Sequence, residues 1–395
     1  MSDGTWIDAV PAASGDAVTP GSPGMVSDPS TAPDGGRDPH TVARARRSRL
    51  INPSGETPYL VVQDLVVTFP TDDGLVRAVQ GLSYALPLGR TLAIVGESGS
   101  GKSVSSMAIM GLHDPRSARI SGSIRLGGDE VVGRPQEEMR KYRGSAAAMI
   151  FQDPQSSLHP FFTIGFQITE AYRAHHDVSK KKARERAVDM LGRVGIPNPR
   201  QRVDDYPHQF SGGMRQRAMI AMALVNDPKL LIADEPTTAL DVTVQAQILD
   251  LILDLQQDFG SAVLFITHDL GVVAETADDI LVMYAGRGVE YGSVDAILGT
   301  PLNPYAWGLL ESIPAVSGEP ARLHPIPGSP PSLLNLPSGC SFHPRCEFAS
   351  RVPHGMCKEE LPDLIPRTAD QNRLSRCHLV QPDRIFETEI LPRLP

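Results

Sequence analysis

A glycine-rich stretch at residues 96–103 constrains the fold more than any other part of this 395-residue chain. Its sequence, Gly-Glu-Ser-Gly-Ser-Gly-Lys-Ser, fits the pattern G-x-x-x-x-G-K-[ST], in which backbone N–H groups wrap around phosphate oxygens. Such a loop needs a strand before it and a helix after it, because the positive end of that helix also faces the phosphates. Residues 91–95 predict the strand and residues 102–111 the helix. The chain is therefore expected to bind a nucleoside phosphate.

Two side chains of this loop have expected roles in phosphate chemistry. Lys102 brings a mobile cation to the β- and γ-phosphates, and Ser103 offers a hydroxyl oxygen to Mg²⁺. The residues predicted to contact the nucleotide in this part of the chain are Gly96, Glu97, Ser98, Gly99, Ser100, Gly101, Lys102, Ser103 and Val104.

An acidic motif further along the chain completes the expected Mg²⁺ site. Residues 230–233 are Leu-Leu-Ile-Ala and read as a buried strand, which ends in Asp234 and Glu235. Two carboxylates at the end of a buried strand are costly unless a cation or another partner offsets them. With a phosphate loop upstream, Asp234 is the expected partner of Mg²⁺, and Glu235 is placed to polarise an attacking water.

Alternating strand and helix patterns place these motifs in an α/β fold. Residues 60–69 and 75–79 read as the two strands of a hairpin, and residues 262–267 read as another buried strand. Residues 165–228 are rich in helical patterns. One apolar stripe with helical spacing consists of Ala187, Met190, Leu191 and Val194. The alternation predicts a mostly parallel sheet with helices on both faces, which binds its ligands at the carboxyl ends of the strands.

A third motif, Phe-Ser-Gly-Gly-Met-Arg-Gln at residues 210–216, precedes a predicted helix. Ser211 followed by Gly212 and Gly213 makes an anion-binding helix N-terminus. If the loop at residues 96–103 forms a complete cradle for one nucleotide, this second terminus is suited to the nucleotide of another chain. Read alone, the same residues indicate an ordinary helix N-cap.

The order of these motifs resembles the ATP-binding cassette family over residues 58–300. The family signature usually has Leu and Gln where this chain has Phe210 and Met214, and neither change removes the Ser211 hydroxyl or the glycines. The resemblance implies a P-loop ATP-binding cassette with a mixed sheet core and a helical subdomain at about residues 152–228. It also implies ATP hydrolysis between two cassettes, each closing its signature over the other's ATP.

The resemblance carries roles to four further residues. Phe69 resembles the aromatic residue that stacks on adenine, although a strand core residue would look the same. Gln152 resembles the glutamine that senses Mg²⁺ and contacts the permease side. Asp241 resembles the aspartate that crosses the dimer interface. His268 resembles the switch histidine at the γ-phosphate, whereas a lone histidine at a strand end is more often structural.

Composition limits the remaining parts of the chain. Residues 1–57 are rich in Pro, Gly, Ser, Asp and Ala and predict a disordered tail, whose basic run is Arg44, Arg46, Arg47 and Arg49. That run either contacts anionic lipid or a partner, or is simply solvated. The net charge of −9 argues against a general nucleic-acid binder. No apolar run reaches the length of about 18 residues that a membrane helix needs, so we expect membrane association through partners, at the cytoplasmic face.

The four cysteines all lie in a proline-rich C-terminal extension, residues 301–395, that is predicted to be irregular. They are Cys340, Cys346, Cys357 and Cys377. Their spacing indicates a metal staple but matches neither tight zinc pairs nor common ferredoxin runs, and unligated thiols remain an alternative. The extension resembles that of the peptide and nickel importer branch of the same family. This resemblance implies a [4Fe–4S] cluster on the four cysteines, with zinc as the alternative.

The predicted function is ATP hydrolysis that energises an importer of dipeptides or oligopeptides. The partners implied by the resemblance are two transmembrane permease subunits, a second ATPase subunit (a related chain or a second copy) and an extracytoplasmic substrate-binding protein. Relatives in this branch also handle nickel chelates and haem, and the ATPase subunit does not touch the cargo. A soluble ATPase of DNA repair or translation would carry tandem cassettes, coiled coils or a basic surface, and a P-loop kinase would lack the signature at residues 211–213.

Overall fold

The structure is a computed structural model that describes residues 56–238, 241–312 and 325–394. Nearly all of the predicted N-terminal tail, including its basic run, lies outside the described residues. The strands are β1 (Leu60–Thr71), β2 (Gly74–Leu86), β3 (Thr91–Val95), β4 (Arg119–Leu126), β5 (Asp129–Glu130), β6 (Ala147–Ile150), β7 (Leu230–Asp234), β8 (Ala262–Thr267), β9 (Asp279–Tyr284), β10 (Arg287–Ser293), β11 (Ile365–Pro366) and β12 (Leu374–Ser375).

Helices occupy the connections between these strands and much of the remaining chain. The α-helices are α1 (Lys102–Ile109), α2 (Gln136–Tyr142), α3 (Pro154–Ser157), α4 (Ile164–Arg173), α5 (Lys180–Arg193), α6 (Pro199–Arg202), α7 (Gly212–Leu224), α8 (Val242–Phe259), α9 (Leu270–Thr276), α10 (Val294–Gly299), α11 (Pro304–Glu311), α12 (Met356–Glu359) and α13 (Pro382–Ile385). Short 3₁₀ turns lie at Pro207–Gln209, Ala349–Arg351, Pro353–Gly355 and Leu391–Arg393, and a π-helical turn at Phe386–Ile390. None of the described helices combines the length and the apolar composition needed to cross a bilayer.

The larger of two sheets contains the parallel strands that the sequence predicted. Its order is β11-β12-β10-β9-β3-β8-β7-β6, and the five strands from β9 to β6 run parallel to one another. The three strands at the other edge are antiparallel. The sheet is therefore mixed, as the α/β prediction required.

Each central strand is buried on both faces, which explains its continuous apolar sequence. Successive residues alternate between two cores because side chains along a strand point to opposite faces. In β3, Leu92 and Ile94 belong to one core, whereas Ala93 and Val95 belong to the other. The first core includes residues of α1 and α2, and the second includes residues of α5, α7 and α8. Helices thus cover both faces, as expected.

The smaller sheet is antiparallel, with the order β2-β1-β4-β5. Its strands β1 and β2 form the predicted hairpin, in which Thr71 pairs with Gly74 across the turn. Leu60, Val62, Leu65 and Val67 of β1 are all buried in the core shared with the larger sheet. A layer of antiparallel sheet therefore covers part of the face for which the sequence predicted helices alone.

Two helical predictions can be compared with the observed elements. The predicted stripe of four residues on α5 and at its C-cap is fully buried, since Ala187, Met190, Leu191 and Val194 are each 0% exposed. Helix α1 begins at Lys102 as predicted but ends at Ile109, two residues before the predicted end. The chain leaves the helix there because Gly111 adopts a positive φ of 59°.

The C-terminal extension is less irregular than its prolines suggested. Its helix α11 begins with Pro304 at the first helical position, where a missing N–H costs nothing, and Asn303 caps it by accepting from the N–H of Tyr305. Strand β12 joins the larger sheet beside β10. Phe342, Phe348 and Phe386 are buried in the same core as the parallel strands. The extension therefore packs on the core of the sheet.

Glu290 connects the sheet to the start of this extension. It is 0% exposed on β10, and its two carboxylate oxygens accept from the N–H groups of Leu302 and Asn303 at 2.6 and 3.0 Å. Both donors are buried, so they depend on this side chain for their hydrogen bonds.

We expect Glu290→Ala to destabilise the fold by about 3 kcal/mol, because two buried N–H donors lose their acceptor. Urea unfolding followed by circular dichroism measures this change. Glu275→Ala is the matched control, since Glu275 is exposed on α9. Equal unfolding midpoints for the two variants would contradict the prediction.

Candidate active site

Four parallel strands of the larger sheet are each followed by a predicted site residue, and all four residues lie at the same edge of the sheet. Gly96 directly follows β3, Glu235 follows β7 and His268 follows β8, while Gln152 lies two residues after β6. These strands are consecutive neighbours in the order β3-β8-β7-β6. The site therefore lies at the carboxyl ends of the strands, where α/β sheets bind their ligands.

The phosphate loop depends on glycine at two positions. Gly96 has a φ of 151°, and a Cβ atom there would lie 2.1 Å from the carbonyl oxygen of Met283. Gly101 caps α1 with a φ of 100°, and its Cβ would lie 2.3 Å from the carbonyl oxygen of Ala78. Any larger residue would push the loop off the sheet. The hydroxyl of Ser100 is buried in this loop and has no hydrogen-bond partner among the described residues.

Lys102 is folded back onto the loop that precedes it. Its Nζ donates to the carbonyl oxygens of Gly96 at 2.7 Å and of Glu97 at 3.1 Å. Burial lowers the pKa of Lys102, and the carboxylates of Glu235 and Asp234 partly offset that effect. The ammonium is thus held where burial disfavours its charge, which makes an incoming anion a favourable partner.

Ser103 and Asp234 form the pair that the sequence predicted for Mg²⁺. The hydroxyl of Ser103 donates to Oδ1 of Asp234 at 3.0 Å, although 131 residues separate the two. Burial raises the pKa of Asp234, and the hydrogen bond from Ser103 and the charge of Lys102 counteract this. A cation beside this buried carboxylate would favour its charged form.

Glu235 lies at the centre of the site in a rare backbone conformation. Its φ is 47°, in the left-handed region, and its N–H donates to the carbonyl oxygen of Ile266 at 2.8 Å. The carboxylate accepts from Gln152 Nε2 at 2.9 Å and from the Thr238 hydroxyl at 3.0 Å. Its other oxygen lies 3.2 Å from Nδ1 of His268. Such strain persists where the surroundings over-determine it, often at functional sites.

A cavity of about 800 Å³ joins most of the predicted nucleotide residues. Leu270, Leu309 and Pro330 also line it, and none of them was predicted. Phe69 lies outside this cavity and packs edge-to-face on His113, with ring centroids 5.5 Å apart. The predicted residues that line the cavity are Gly96, Glu97, Ser98, Gly99, Ser100, Gly101, Lys102, Ser103, Val104, Gln152, Glu235 and His268.

The signature serine and the second aspartate are helix caps within this chain. Ser211 caps α7 by accepting from the N–H of Met214 at 3.3 Å, and Asp241 caps α8 by accepting from the N–H of Val244 at 3.0 Å. Ser211, Gly212 and Asp241 are exposed and lie outside the cavity of the phosphate loop. Their predicted contacts with a second chain remain predictions.

The cysteines of the extension are close enough to influence one another. None of the four forms a disulfide. Burial raises the pKa of Cys346 and of Cys377 to about 12, and neighbouring cysteines add to the effect. Among the described residues, however, no three His, Cys, Asp or Glu side chains form a group that could hold a metal ion. The described side chains therefore do not form a ready-made metal site, and the predicted [4Fe–4S] cluster stays a prediction.

Sequence comparison finds two matching families and close relatives. Residues 79–238 match the ABC transporter family, and residues 289–352 match the C-terminal region of oligopeptide/dipeptide transporters. The chain is 52% identical over 293 residues to the oligopeptide transport ATP-binding protein OppD of Salmonella typhimurium, covering 74% of this chain and 87% of that protein. OppD of Bacillus subtilis is 53% identical over 299 residues, covering 75% and 83%.

Structural comparison finds solved cassettes. One is the ATP-binding cassette MJ0796 in a dimeric post-hydrolysis state bound to ADP and Pi, with a TM-score of 0.54 and 25% identity over 60% of this chain and 98% of that chain. Another is cbiO1 from Clostridium perfringens, part of the ABC transporter complex cbiONQ, with a TM-score of 0.52 and 27% identity over 61% and 91%. Each likeness covers about 60% of this chain and more than 90% of the solved cassette.

Proposed function

This chain belongs to the ABC transporter family, in its oligopeptide and dipeptide branch, and we propose from that membership which roles its residues and its partner subunits have. It is the ATP-hydrolysing subunit of a peptide importer. The observation that carries this conclusion is that one chain holds both the cassette at residues 79–238 and the transporter-specific C-terminal region at residues 289–352. An importer ATPase of this kind has membrane permease subunits as partners.

We propose that Glu235 polarises the water that attacks the γ-phosphate. Its carboxylate is held by Gln152, Thr238 and His268 and faces the cavity that also contains Lys102. Proton transfer to a carboxylate in such a position would generate the nucleophile, and the ammonium of Lys102 would stabilise charge on the phosphates. His268 would contact the γ-phosphate from its exposed side, since 65% of its side chain is accessible.

Ser103, Asp234 and Gln152 are the residues that would hold Mg²⁺ in this scheme. The oxygen-rich donor set fits a hard cation, and the buried carboxylate of Asp234 benefits from one. When bound, the ion neutralises charge on the β- and γ-phosphates. Ser100, whose buried hydroxyl lacks a partner in the described structure, supports the view that the loop is shaped for phosphate oxygens.

We propose that hydrolysis occurs in a dimer of cassettes, with a related ATPase subunit or a second copy as the partner. The exposed N-terminus of α7, with Ser211, Gly212 and Gly213, supports this, because a 13-residue helix directs its positive end outward there. Asp241 is exposed as well and would lie at the same interface. The similar cassette with ADP and Pi is dimeric. The proposed adenine contact is Phe69.

The permease is proposed to contact the surface beside Gln152. There an apolar groove of about 360 Å³ is lined by Met110, Leu112, Met149 and Phe151 among other residues. Phe151 precedes Gln152, so a partner seated in the groove would be one residue from a side chain that touches Glu235. Docking there would place the protein peripherally at the cytoplasmic face of the membrane. The proposed domains are the cassette at residues 58–300, its helical part at about residues 152–228 and the extension at residues 301–395.

We expect Glu235→Gln to bind ATP with nearly unchanged affinity but to lose at least about 100-fold in turnover, because the amide keeps the shape and cannot take a proton. Equilibrium binding of a fluorescent ATP analogue and steady-state phosphate release measure the two effects. Glu275→Gln, an exposed change on α9, is the control. Near-normal phosphate release from Glu235→Gln would contradict the proposal that Glu235 polarises the attacking water.

The transport function is tested on the whole complex purified from its native membrane. ATP hydrolysis is measured with and without a substrate-binding protein loaded with dipeptides or tripeptides. We expect stimulation of several-fold by the loaded binding protein, because cargo delivery drives the cassettes together. Stimulation only by binding proteins loaded with nickel chelates or haem would overturn the peptide assignment, and purification without any permease subunit would contradict the importer role.

We also propose that Cys340, Cys346, Cys357 and Cys377 hold a [4Fe–4S] cluster, for which soft thiolates are the usual ligands. Two features support this. Burial raises the pKa of Cys346, Cys357 and Cys377, and the charge of other cysteines of the extension adds to the effect. Backbone N–H groups also point at sulfur atoms, as the N–H of Leu379 does at 3.4 Å from Sγ of Cys377. The cluster would staple the extension, and we assign it no step in hydrolysis.

Anaerobic purification tests the cluster. We expect broad absorbance near ~400 nm and bound iron and sulfide in the wild-type chain. Cys377→Ala should lose both, whereas Ser341→Ala, which alters the same segment without removing a thiol, should keep them. Colourless protein that contains zinc, or four thiols that all react with a thiol reagent in iron-free protein, would contradict the proposal.

A further inference from the structure

The C-terminal extension contacts the phosphate loop directly, through the side chain of Glu97. Nη1 and Nη2 of Arg345 donate to the two carboxylate oxygens of Glu97 at 2.6 and 2.9 Å. The N–H of Glu97 donates to the hydroxyl of Tyr305 on α11 at 2.8 Å. Both the side chain and the backbone of this loop residue are therefore held by the extension. A bidentate hydrogen-bonded ion pair of this kind is among the strongest and most directional interactions that proteins make.

Arg345 is itself held rigidly on every side. Its Nε donates to the carbonyl oxygen of Pro327 at 2.8 Å, and Nη1 also lies 3.3 Å from the hydroxyl of Tyr284. The guanidinium carbon lies 5.9 Å from the ring centroids of both Tyr284 and Phe342. Only 6% of the side chain is exposed. The guanidinium therefore has little freedom to follow the loop if the loop moves.

The residue that Arg345 holds is one that orients the catalytic lysine. Lys102 Nζ donates to the carbonyl oxygen of Glu97 at 3.1 Å and to that of the preceding Gly96 at 2.7 Å. A shift of Glu97 would move an acceptor of Lys102 and the N–H groups that follow it in the loop. Arg345 is therefore linked to the ammonium of Lys102 through Glu97, which contacts both side chains.

We propose that Arg345 is a positioning residue for ATP hydrolysis, which holds the first half of the phosphate loop in the conformation that receives the triphosphate. Leu309 and Pro330 of the same extension line the nucleotide cavity, which independently places this segment at the site. The extension then acts on the ATP site of its own chain in addition to packing on the sheet. This inference concerns ATP alone and holds whatever the cargo is.

A matched control for Arg345 exists in the same extension. Arg351 also makes a two-pronged contact, with Glu389 at 2.6 and 2.7 Å, but this pair is exposed and both its members lie in the extension. Arg351→Gln therefore removes the same kind of interaction from the same segment without releasing the phosphate loop. A difference in ATP affinity between Arg345→Gln and Arg351→Gln therefore measures the effect of releasing the phosphate loop.

The test measures the affinity of the full-length chain for Mg·ATP, well below the thermal midpoint of each variant, where a merely less stable protein is still folded. We expect Arg345→Gln to weaken ATP binding and kcat/KM by about 10- to 100-fold, because a small displacement of a phosphate cradle costs that much. Arg345→Lys should lie between this variant and the wild type, since a lysine keeps the charge but cannot form the fork. Arg351→Gln should remain within about twofold of the wild type.

The loop side of the contact provides a second, independent variant. Glu97→Gln should weaken ATP binding in the same direction, and its effect should not add to that of Arg345→Gln in the double variant, because both changes break one contact. If Arg345→Gln does not fold, Glu97→Gln and Arg345→Lys carry the test. ATP affinities of Arg345→Gln or of Glu97→Gln within about twofold of Arg351→Gln would overturn the proposal, as would fully additive losses.

Discussion

Parallel pairing of β3, β8, β7 and β6 is the constraint on which the site depends. Parallel neighbours end at the same edge of a sheet, so residues that are far apart in sequence arrive side by side without further arrangement. The pairing is secure because both faces of these strands are buried in apolar cores. A one-residue slip in any strand would exchange its two faces and misplace the residue at its end.

Burial and charge act against each other at two side chains of the site. Burial works against the charged forms of both Lys102 and Asp234, lowering the pKa of the first and raising that of the second. Their mutual attraction offsets part of this cost. A triphosphate with its cation would bring one charged partner for each of these two side chains, so their burial favours binding of both. Glu235 keeps its position through three hydrogen-bonding neighbours and an uncommon backbone conformation.

Local patterns predicted much of the fold. The strands β3 and β8, the hairpin of β1 and β2, and the stripe on α5 were all predictable, since each depends on residues close in sequence. The antiparallel sheet over one face was not, because its partners β1 and β4 are joined by long-range pairing. Helix α11 was missed because its prolines read as helix breakers, although Pro304 occupies the one helical position that favours proline.

The sequence by itself determined the chemistry of the site: a glycine loop that only glycines can form, a lysine and a serine at its end, and two acids at the end of a buried strand. The chemistry of such short motifs can be predicted from the sequence, because the spacing of neighbouring residues sets which atoms face a phosphate. The tertiary structure alone decided which distant groups hold those motifs in place. Arg345 and Glu97 are 248 residues apart, and no local spacing connects them. Only the packing of the extension against the sheet brings a guanidinium to the phosphate loop.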